Sequence, residues 1–253
     1  MFKYFFTEAG NLPANVGFDM YGTAHINWLC IILLFIIFMS VKYKKMSAEK
    51  KIKTRKILGT IILMTEIYYQ LVLIITGQFK VGYLPLHLCG IAIFLYFFDA
   101  FRPNAVVRDF IYCLCMPGAL MALLFPNWTM YPLINFASIN SFILHGLLLT
   151  YPIMLICAKE LIPDYKNLPK CSLCLLIIAV PIYFFNKIFD TNFLFINDPF
   201  EVLPLIVFEQ WFGNPGYILG MVILIAIAWV ILYAPIFVKN KRNDATLKRV
   251  KIT

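Results

Sequence analysis

Long runs of apolar residues, separated by short polar or basic stretches, are the dominant pattern along this chain. Helices of about 17 to 25 predominantly apolar residues are long enough to cross a bilayer. The third apolar run has only about 15 residues, or roughly 22 Å as a helix, so we expect it to begin below the membrane surface beside a cavity. The pattern predicts seven spans, at about residues 23–41, 57–76, 84–98, 106–125, 136–157, 173–189 and 217–238.

The composition is that of a membrane protein. Hydrophobic residues make up 62% of the chain and charged residues only 14%, which excludes an ordinary soluble domain. We therefore predict an all-α polytopic membrane protein, a bundle of about seven transmembrane helices that forms a single membrane domain over residues 1–253. The first 24 residues lack the pattern of a cleavable signal peptide, and the seven cysteines indicate no disulfide framework.

Three segments have additional local signals. Aromatic rings favour the headgroup level, so the cluster at residues 2–6 is predicted to be an interfacial anchor. Pro117 and Gly118 predict a kink in the fourth span. The short apolar run at about 203–212 contains Pro204 and is predicted to be interfacial or re-entrant. The aromatic residues of the anchor are Phe2, Tyr4, Phe5 and Phe6, and the acidic residues around the short run are Asp190, Asp198, Glu201 and Glu209.

Basic residues are distributed unevenly between the two sides of the predicted bundle. Of the 22 lysines and arginines, only Lys3, Lys80 and Lys187 lie on the side of the N-terminus. Because cytoplasmic loops of membrane proteins are enriched in Lys and Arg, the pattern predicts an N-terminus outside and a C-terminus inside. This topology explains most of the net charge of +9, so the charge does not indicate a nucleic-acid partner.

With this orientation, the polar residues of the spans lie in the outer half or the middle of the membrane. Ionisable groups at such depths are costly and usually line a cavity or a pathway. His145 is about nine residues into the fifth span, roughly 13 Å from its outer end by helical rise. The inner halves of the spans contain few charges. The candidate site residues are His25, Glu66, Gln70, His87, Cys89, Asn140, Ser141 and His145.

Cys89 is the candidate nucleophile. It follows Pro85, a residue that suits the first turn of a helix, so we expect Cys89 near a helix N-terminus. The unpaired amides and the dipole at such an end favour a thiolate. His87 is two residues away and points to the opposite side of a regular helix. His145, from another span, is therefore the better candidate for the base.

A structural interpretation stays open for each of these residues. A single histidine such as His25 or His145 can simply hydrogen-bond a neighbouring helix, and Glu66 can be a protonated structural acid. Cys171 and Cys174 have CxxC spacing but no second pair, which only weakly indicates a metal or redox site. The chain contains no P-loop, GxGxxG, GxSxG or HExxH motif, so nucleotide-driven transport and the common hydrolase classes are not supported.

Four blocks of the chain have the form of family signatures. They are Leu84-Pro85-Leu86-His87-Leu88-Cys89, then Pro117-Gly118-Ala119-Leu120 with Leu124-Phe125-Pro126, then His145-Gly146, and the segment from Asn186 to Pro199. In this order they resemble the YwaF family of bacterial integral membrane proteins, which also includes the eukaryotic transmembrane protein 164 group. The resemblance spans most of the chain and implies a bundle of about seven helices in the cell membrane, here the bacterial cytoplasmic membrane.

The resemblance also implies a chemistry. For the eukaryotic relatives it implies acyl transfer onto ether phospholipids by a cysteine and a histidine, which correspond here to Cys89 and His145. More distantly, the chain is similar to membrane hydrolases of fatty-acid esters that use a threonine in place of the cysteine.

Three functions follow as hypotheses. The first is a lipid acyltransferase or acyl hydrolase without a cofactor, whose partner is a membrane phospholipid or another acyl lipid. In this hypothesis Cys89 and His145 are catalytic, and the other candidate residues orient the base or bind the headgroup. The second is a transporter or channel for a small polar or lipidic substrate, with a relay of histidines and Glu66. The third is a zinc-dependent membrane hydrolase, although its ligands would come singly from four spans. A non-catalytic scaffold is the residual possibility.

Overall fold

The computed structural model describes residues 3–199 and 203–250, with side chains for 3–199 and 205–238. Every regular element in these ranges is helical, which confirms the all-α fold class. Phe2 of the predicted anchor and Glu201 of the acidic stretch lie outside the described residues. The helices are α1 (Thr23–Lys44), α2 (Ala48–Ile75), α3 (Leu88–Phe101), α4 (Ala105–Phe110), α5 (Met116–Leu124), α6 (Phe136–Cys157), α7 (Leu168–Phe189), α8 (Leu203–Phe212) and α9 (Tyr217–Val250).

Six helical segments of the described residues are long and apolar enough to cross a membrane, and this confirms a polytopic membrane protein. They correspond to the predicted spans other than the third. The fifth predicted span, residues 136–157, has the predicted bounds. α2 begins nine residues before its predicted span, because Ser47 caps the helix within the basic block. The short run at 203–212 forms a helix of 10 residues, too short to span.

The third apolar run forms α3, which has 14 residues and is shorter than the six spanning segments. Pro85 was predicted in its first turn, but the helix begins later, with His87 as the N-cap. Pro85 belongs to the preceding loop and folds back onto Gly90, where an added Cβ would lie 2.6 Å from Pro85 backbone atoms. The glycine therefore allows the loop to pack against the first turn of the helix.

The fourth crossing is irregular close to the position predicted from Pro117 and Gly118. Between α4 and α5 the chain forms one π-helical segment, Ile111–Cys115, and helical geometry continues from Met116. The wider turn ends just before Pro117, the residue without an N–H to donate. The five residues of the π-helical segment are buried, so the irregularity lies inside the protein.

Contacts within the described chain divide it into two units, residues 1–162 and 163–253. The expectation of a single membrane domain stays a prediction. In the second unit, the loop after α7 folds around Asn186, which is 2% exposed. The Asn186 amide donates to the Phe193 carbonyl and to Asn197 Oδ1, and its Oδ1 accepts from Thr191 Oγ1 and from the Phe193 amide.

At the predicted inner end of the first unit, contacts of charged side chains join five helices and a loop. Asp99, in the last turn of α3, is fully buried and accepts hydrogen bonds from Arg108 at 2.9 Å and from the Tyr151 hydroxyl at 2.8 Å. Arg55 of α2 and Tyr43 of α1 both bind the Glu160 carboxylate beyond α6. These acids and bases neutralise each other inside the protein. Arg55, Asp99 and Glu160 lie just outside the predicted spans and only Arg108 lies within one, so the expectation of few charges in the inner halves of the spans stays a prediction.

The predicted outer end is held together by the N-terminal segment. Asn135, the N-cap of α6, donates to the carbonyls of Tyr4 and Thr7, and Phe5 accepts from the Phe136 amide. Glu8 accepts from the Tyr83 hydroxyl and pairs with Lys80 at 3.2 Å. The aromatic segment that was predicted to be an interfacial anchor is therefore bonded to the start of α6 and to the α2–α3 loop.

Candidate functional site

Cys89 is the second residue of α3 and is half-buried. The first intrahelical bond runs from the Ile91 amide to the His87 carbonyl. The amides of Leu88, Cys89 and Gly90 precede that bond, so they belong to the positive end of the helix dipole. Cys89 therefore lies in the first turn of α3, where unpaired amides can stabilise a bound oxyanion.

His145 has one ring nitrogen bound and a defined tautomer. Its Nδ1 lies 2.7 Å from the Ser141 carbonyl oxygen, which can only accept, so Nδ1 holds the proton. The unprotonated nitrogen of the neutral ring is then Nε2, as a general base requires. The imidazole is half-buried and stacks on the Trp128 indole, with ring centroids 5.1 Å apart and planes at 18°.

The register between α3 and α6 relates the heights of Cys89 and His145. The Tyr96 hydroxyl donates to the Leu148 carbonyl, and the Tyr151 hydroxyl donates to Asp99, each over 2.8 Å and each between residues 52 apart. The two helices are thus parallel with a constant offset. Extended outward by two turns from Tyr96, this offset matches Cys89 with Ser141, one turn or about 6 Å along the axis from His145.

Helical periodicity relates Cys89 and His145 to the residues that join the two helices. Cys89 is seven residues before Tyr96 and lies on the same side of α3, since seven residues make about two turns. His145 is three residues before Leu148, so the two share one side of α6. Tyr96 contacts the backbone of Leu148, and the α6 side chain that reaches α3 is Tyr151. Whether the sulfur of Cys89 and the imidazole of His145 face each other therefore stays a prediction.

Glu66 and Gln70 are joined, as their spacing on one helix face predicts. Gln70 Nε2 donates to Glu66 Oε1 and to the Tyr83 carbonyl, each over 2.7 Å. Glu66 is 8% exposed. This pair therefore connects the middle of α2 to the loop that leads into α3, at a residue four positions before His87.

His25 has both ring nitrogens bonded to the backbone. The Tyr21 amide donates to Nδ1 at 3.0 Å, and Nε2 then donates to the Leu123 carbonyl at 2.8 Å. The ring is fully buried and links the start of α1 to the end of α5. This arrangement favours a structural role for His25 rather than a role in orienting a substrate.

The remaining candidates surround the start of α3 and the second turn of α6. His87 is half-buried and forms the N-cap of α3. Asn140 and Ser141 are half-buried on α6. Ser141 orients His145 through its carbonyl oxygen rather than through the hydroxyl group. Whether these residues contact a lipid headgroup stays a prediction.

A groove lies at the predicted outer end, between the N-terminal segment, α2 and the start of α6. Its lining includes Phe5, Tyr69, Tyr131 and Phe136, whereas Cys89 and His145 are not part of it. The groove is therefore separate from the catalytic pair that the sequence indicated.

Three residues that shape this region were not predicted from the sequence. Trp128 covers the imidazole of His145, and Tyr96 and Tyr151 fix the register of α3 against α6. Trp128 lies in the uncharged loop between Pro126 and Pro132, where a large aromatic residue could have been recognised as a packing anchor. The two tyrosines could not be distinguished from the other aromatic residues of the spans, because periodicity does not identify hydrogen-bond partners.

The zinc hypothesis receives no support from the side-chain arrangement. Within the part of the chain that the structure describes, no three His, Cys, Asp or Glu side chains are grouped so that they could bind one metal ion. His25 uses both nitrogens for backbone carbonyl and amide groups, and His145 uses Nδ1.

Comparison with known proteins gives one positive result. The model of the TMEM164 family matches residues 20–233, a range that includes the first five candidate spans, most of the sixth and all of the candidate residues. No match was found among curated proteins or among solved structures.

Proposed function

The chain belongs to the TMEM164 family of membrane proteins, and from this premise we propose that it transfers or hydrolyses lipid acyl groups through Cys89 and His145. The observation that supports this most directly is the tautomer of His145. The Ser141 carbonyl accepts from Nδ1 and leaves Nε2 as a base, on a helix that the Tyr96–Leu148 hydrogen bond joins to the helix of Cys89.

The chemistry begins with transfer of the Cys89 thiol proton to Nε2 of His145. The thiolate attacks the carbonyl carbon of a lipid ester, and the carbonyl oxygen becomes an oxyanion, which the first amides of α3 can stabilise. The tetrahedral intermediate collapses with cleavage of the ester C–O bond. The imidazolium returns its proton to the departing alcohol, and a thioester on Cys89 remains.

The second half of the reaction repeats these steps with a new nucleophile. His145 removes a proton from the hydroxyl group of an acceptor lipid or from water, and the oxygen attacks the thioester carbonyl. Cleavage of the C–S bond releases the acylated acceptor or the free fatty acid, and the thiolate regains its proton from the imidazolium. Transfer and hydrolysis differ only in which hydroxyl enters.

The substrate is taken from the surrounding bilayer in this proposal. Cys89 lies at the start of a helix that is shorter than a full span, so an ester near the headgroup level can reach it while its acyl chain stays in the lipid. The Glu66–Gln70 pair, His87 and Asn140 bind or orient the headgroup. We assign the protein to the bacterial cytoplasmic membrane with its N-terminus outside.

The acyl intermediate provides the test. Purified protein is incubated with a phospholipid that has an alkyne-tagged acyl chain, and the thioester is identified by its cleavage with neutral hydroxylamine. We expect tagging of the wild type and its loss in Cys89→Ala. Cys30→Ala and Cys157→Ala remove two exposed cysteines and should keep the tag. Retained tagging or turnover in Cys89→Ala would remove this mechanism.

A further inference from the structure

Trp128 is held firmly in place next to the candidate base. The loop that contains it is fixed by a hydrogen bond from the Phe18 amide to the Thr129 carbonyl at 2.9 Å and by one from the Tyr131 amide to the Trp128 carbonyl at 3.1 Å. At Gly17 an added Cβ would lie 2.1 Å from the Thr129 oxygen, so only glycine permits this approach.

Aromatic contacts then fix the orientation of the indole ring. One face of the ring stacks on His145, and the ring meets Phe142 edge to face at a centroid distance of 5.3 Å. Phe142 is fully buried and lies four residues before Gly146 on α6. Trp128 itself is 6% exposed. Both neighbours belong to α6, so the position of the indole is tied to that of the imidazole.

The indole N–H of Trp128 is a buried donor without a hydrogen-bond partner among the described residues. An unsatisfied buried donor is energetically costly, so native proteins usually pair such a group. An acceptor that binds beside His145 would satisfy it. The indole that holds this donor stacks on the imidazole at a centroid distance of 5.1 Å, so the donor belongs to the immediate surroundings of His145.

We infer that Trp128 Nε1–H donates a hydrogen bond to the carbonyl oxygen of the acyl ester bound at Cys89 and His145. This inference rests on the proposed function and assigns Trp128 as a substrate-binding residue of the same site. The ligand is a glycerolipid with an ester-linked chain. An ether-linked chain of equal length has no carbonyl oxygen and leaves the donor unpaired, so the contact selects for the ester group and not for the headgroup.

Trp28 offers a matched control. Its ring stacks on Phe142, the same phenylalanine that Trp128 contacts, with ring centroids 5.0 Å apart and planes at 5°. Trp28 is not part of the stack between Trp128 and His145. Trp128→Phe and Trp28→Phe remove the same atoms from the same aromatic cluster. Trp128→Phe should lower kcat/KM for acyl transfer about 10² to 10³-fold, the range for loss of one oxyanion donor. Trp28→Phe should change the thermal unfolding temperature to a similar extent but leave kcat/KM within a few-fold of the wild type.

A second measurement does not require turnover. The four tryptophans are labelled with ¹⁵N at the indole nitrogen, and the Trp128 resonance is assigned by its absence in Trp128→Phe. Titration of Cys89→Ala protein with a diester phospholipid should move the Trp128 N–H proton resonance downfield, whereas the diether analogue should not move it. Equal shifts with both lipids, or no shift with the diester, would overturn the inference.

The two measurements separate this inference from the proposed function. A Trp128 resonance that responds only to the diester supports the inference even if Cys89→Ala retains its acyl tag and the covalent mechanism fails. A wild type that forms the Cys89 thioester, together with a Trp128→Phe variant of unchanged kcat/KM, overturns the inference and leaves the function intact.

Discussion

Arg108 donates a hydrogen bond from Nε to Oδ1 of Asp99 over 2.9 Å, and the carboxylate that it neutralises is completely buried. Removal of one partner of a buried pair leaves a charge without compensation, which typically costs about 3–5 kcal/mol. Arg108→Leu should therefore lower the thermal unfolding temperature of the detergent-solubilised protein sharply. The double variant Asp99→Asn/Arg108→Leu should recover part of the loss, since its amide is neutral.

The control for this pair is Arg102→Leu, which removes an exposed arginine from the same end of α3. We expect it to change the unfolding temperature little. If Arg108→Leu proves as stable as Arg102→Leu, the buried pair does not hold α3 to α4 as described.

The sequence predicted the helices of this protein well, because the length and apolarity of a span are local properties. The bounds of α6 agree with the prediction at both ends. The start of α3 differed because Pro85 packs against Gly90, which is a contact and not a pattern. The role of Asp99 was missed for a related reason. Its charge follows an apolar run and resembles a loop residue, until Arg108 and Tyr151 fold onto it.

For the candidate site, the sequence identified residue types better than their roles. His25 and His145 were equivalent as single histidines within apolar spans. They differ in the hydrogen bonds of their ring nitrogens. Both nitrogens of His25 bond to backbone groups, whereas His145 bonds to the backbone through Nδ1. The Ser141 carbonyl lies one turn before His145 in the same helix, whereas the Leu123 carbonyl that binds His25 comes from another helix. The order of residues alone could not reveal this second contact.

The two histidines give a paired prediction. His145→Gln should lower the rate of Cys89 acylation about 10²–10⁴-fold, the usual contribution of a general base. His25→Gln should lower stability by about 1–3 kcal/mol because one buried partner loses its bond. It should also leave the acylation rate of the folded fraction nearly unchanged. Thermal unfolding and thioester formation, measured on both variants, check the contrast, and the reverse assignment of effects would contradict it.

Gln70 should matter more for the active geometry than its position one turn from Glu66 suggests. It joins Glu66 to the Tyr83 carbonyl, in the loop that leads to Cys89. In Gln70→Leu the carbonyl and the buried acid both lose a donor, so we expect a loss of about 1–3 kcal/mol in stability and slower acylation of Cys89. Gln70→Glu tests whether the amide donor is needed for stability and acylation, since glutamate has a similar size but supplies no amide hydrogen.

Thr65→Ala is a control from the same helix for the Gln70 variants. The Thr65 hydroxyl donates to the Ile62 carbonyl within α2 and not to the α2–α3 loop. If Thr65→Ala slowed acylation as much as Gln70→Leu does, any weakening of α2 would be enough to slow the acylation of Cys89, and the bond from Gln70 to the loop would have no special role.

Asn186 should govern the order of the loop that follows α7. Its side-chain amide makes four hydrogen bonds to loop residues and is nearly fully buried. Asn186→Leu should increase hydrogen exchange across residues 190–198. Asn186→Asp keeps the oxygen that Thr191 and Phe193 bind but loses the two donated bonds, so its exchange should be intermediate. Lys187→Gln, on the exposed neighbour, should exchange like the wild type.

Glu8 should make the attachment of the N-terminal segment dependent on pH. Burial alone would raise the pKa of this carboxyl, but hydrogen bonds from Tyr83 and Lys80 outweigh burial and hold the pKa below its ordinary value. The stability that the ionised carboxylate contributes is therefore fully present above the ordinary pKa of about 4.3 and is lost as the pH falls through the lower, folded-state pKa. Hydrogen exchange of residues 3–11, corrected for its intrinsic pH dependence, should increase over that acidic range. Glu8→Gln should show the faster exchange already at neutral pH, with no further change in acid.

Asp19→Asn removes an exposed acid outside this network and should behave like the wild type. Exchange that is equal in wild type and Glu8→Gln at neutral pH would mean that the bonds from Asn135 to Tyr4 and Thr7 hold the segment without Glu8.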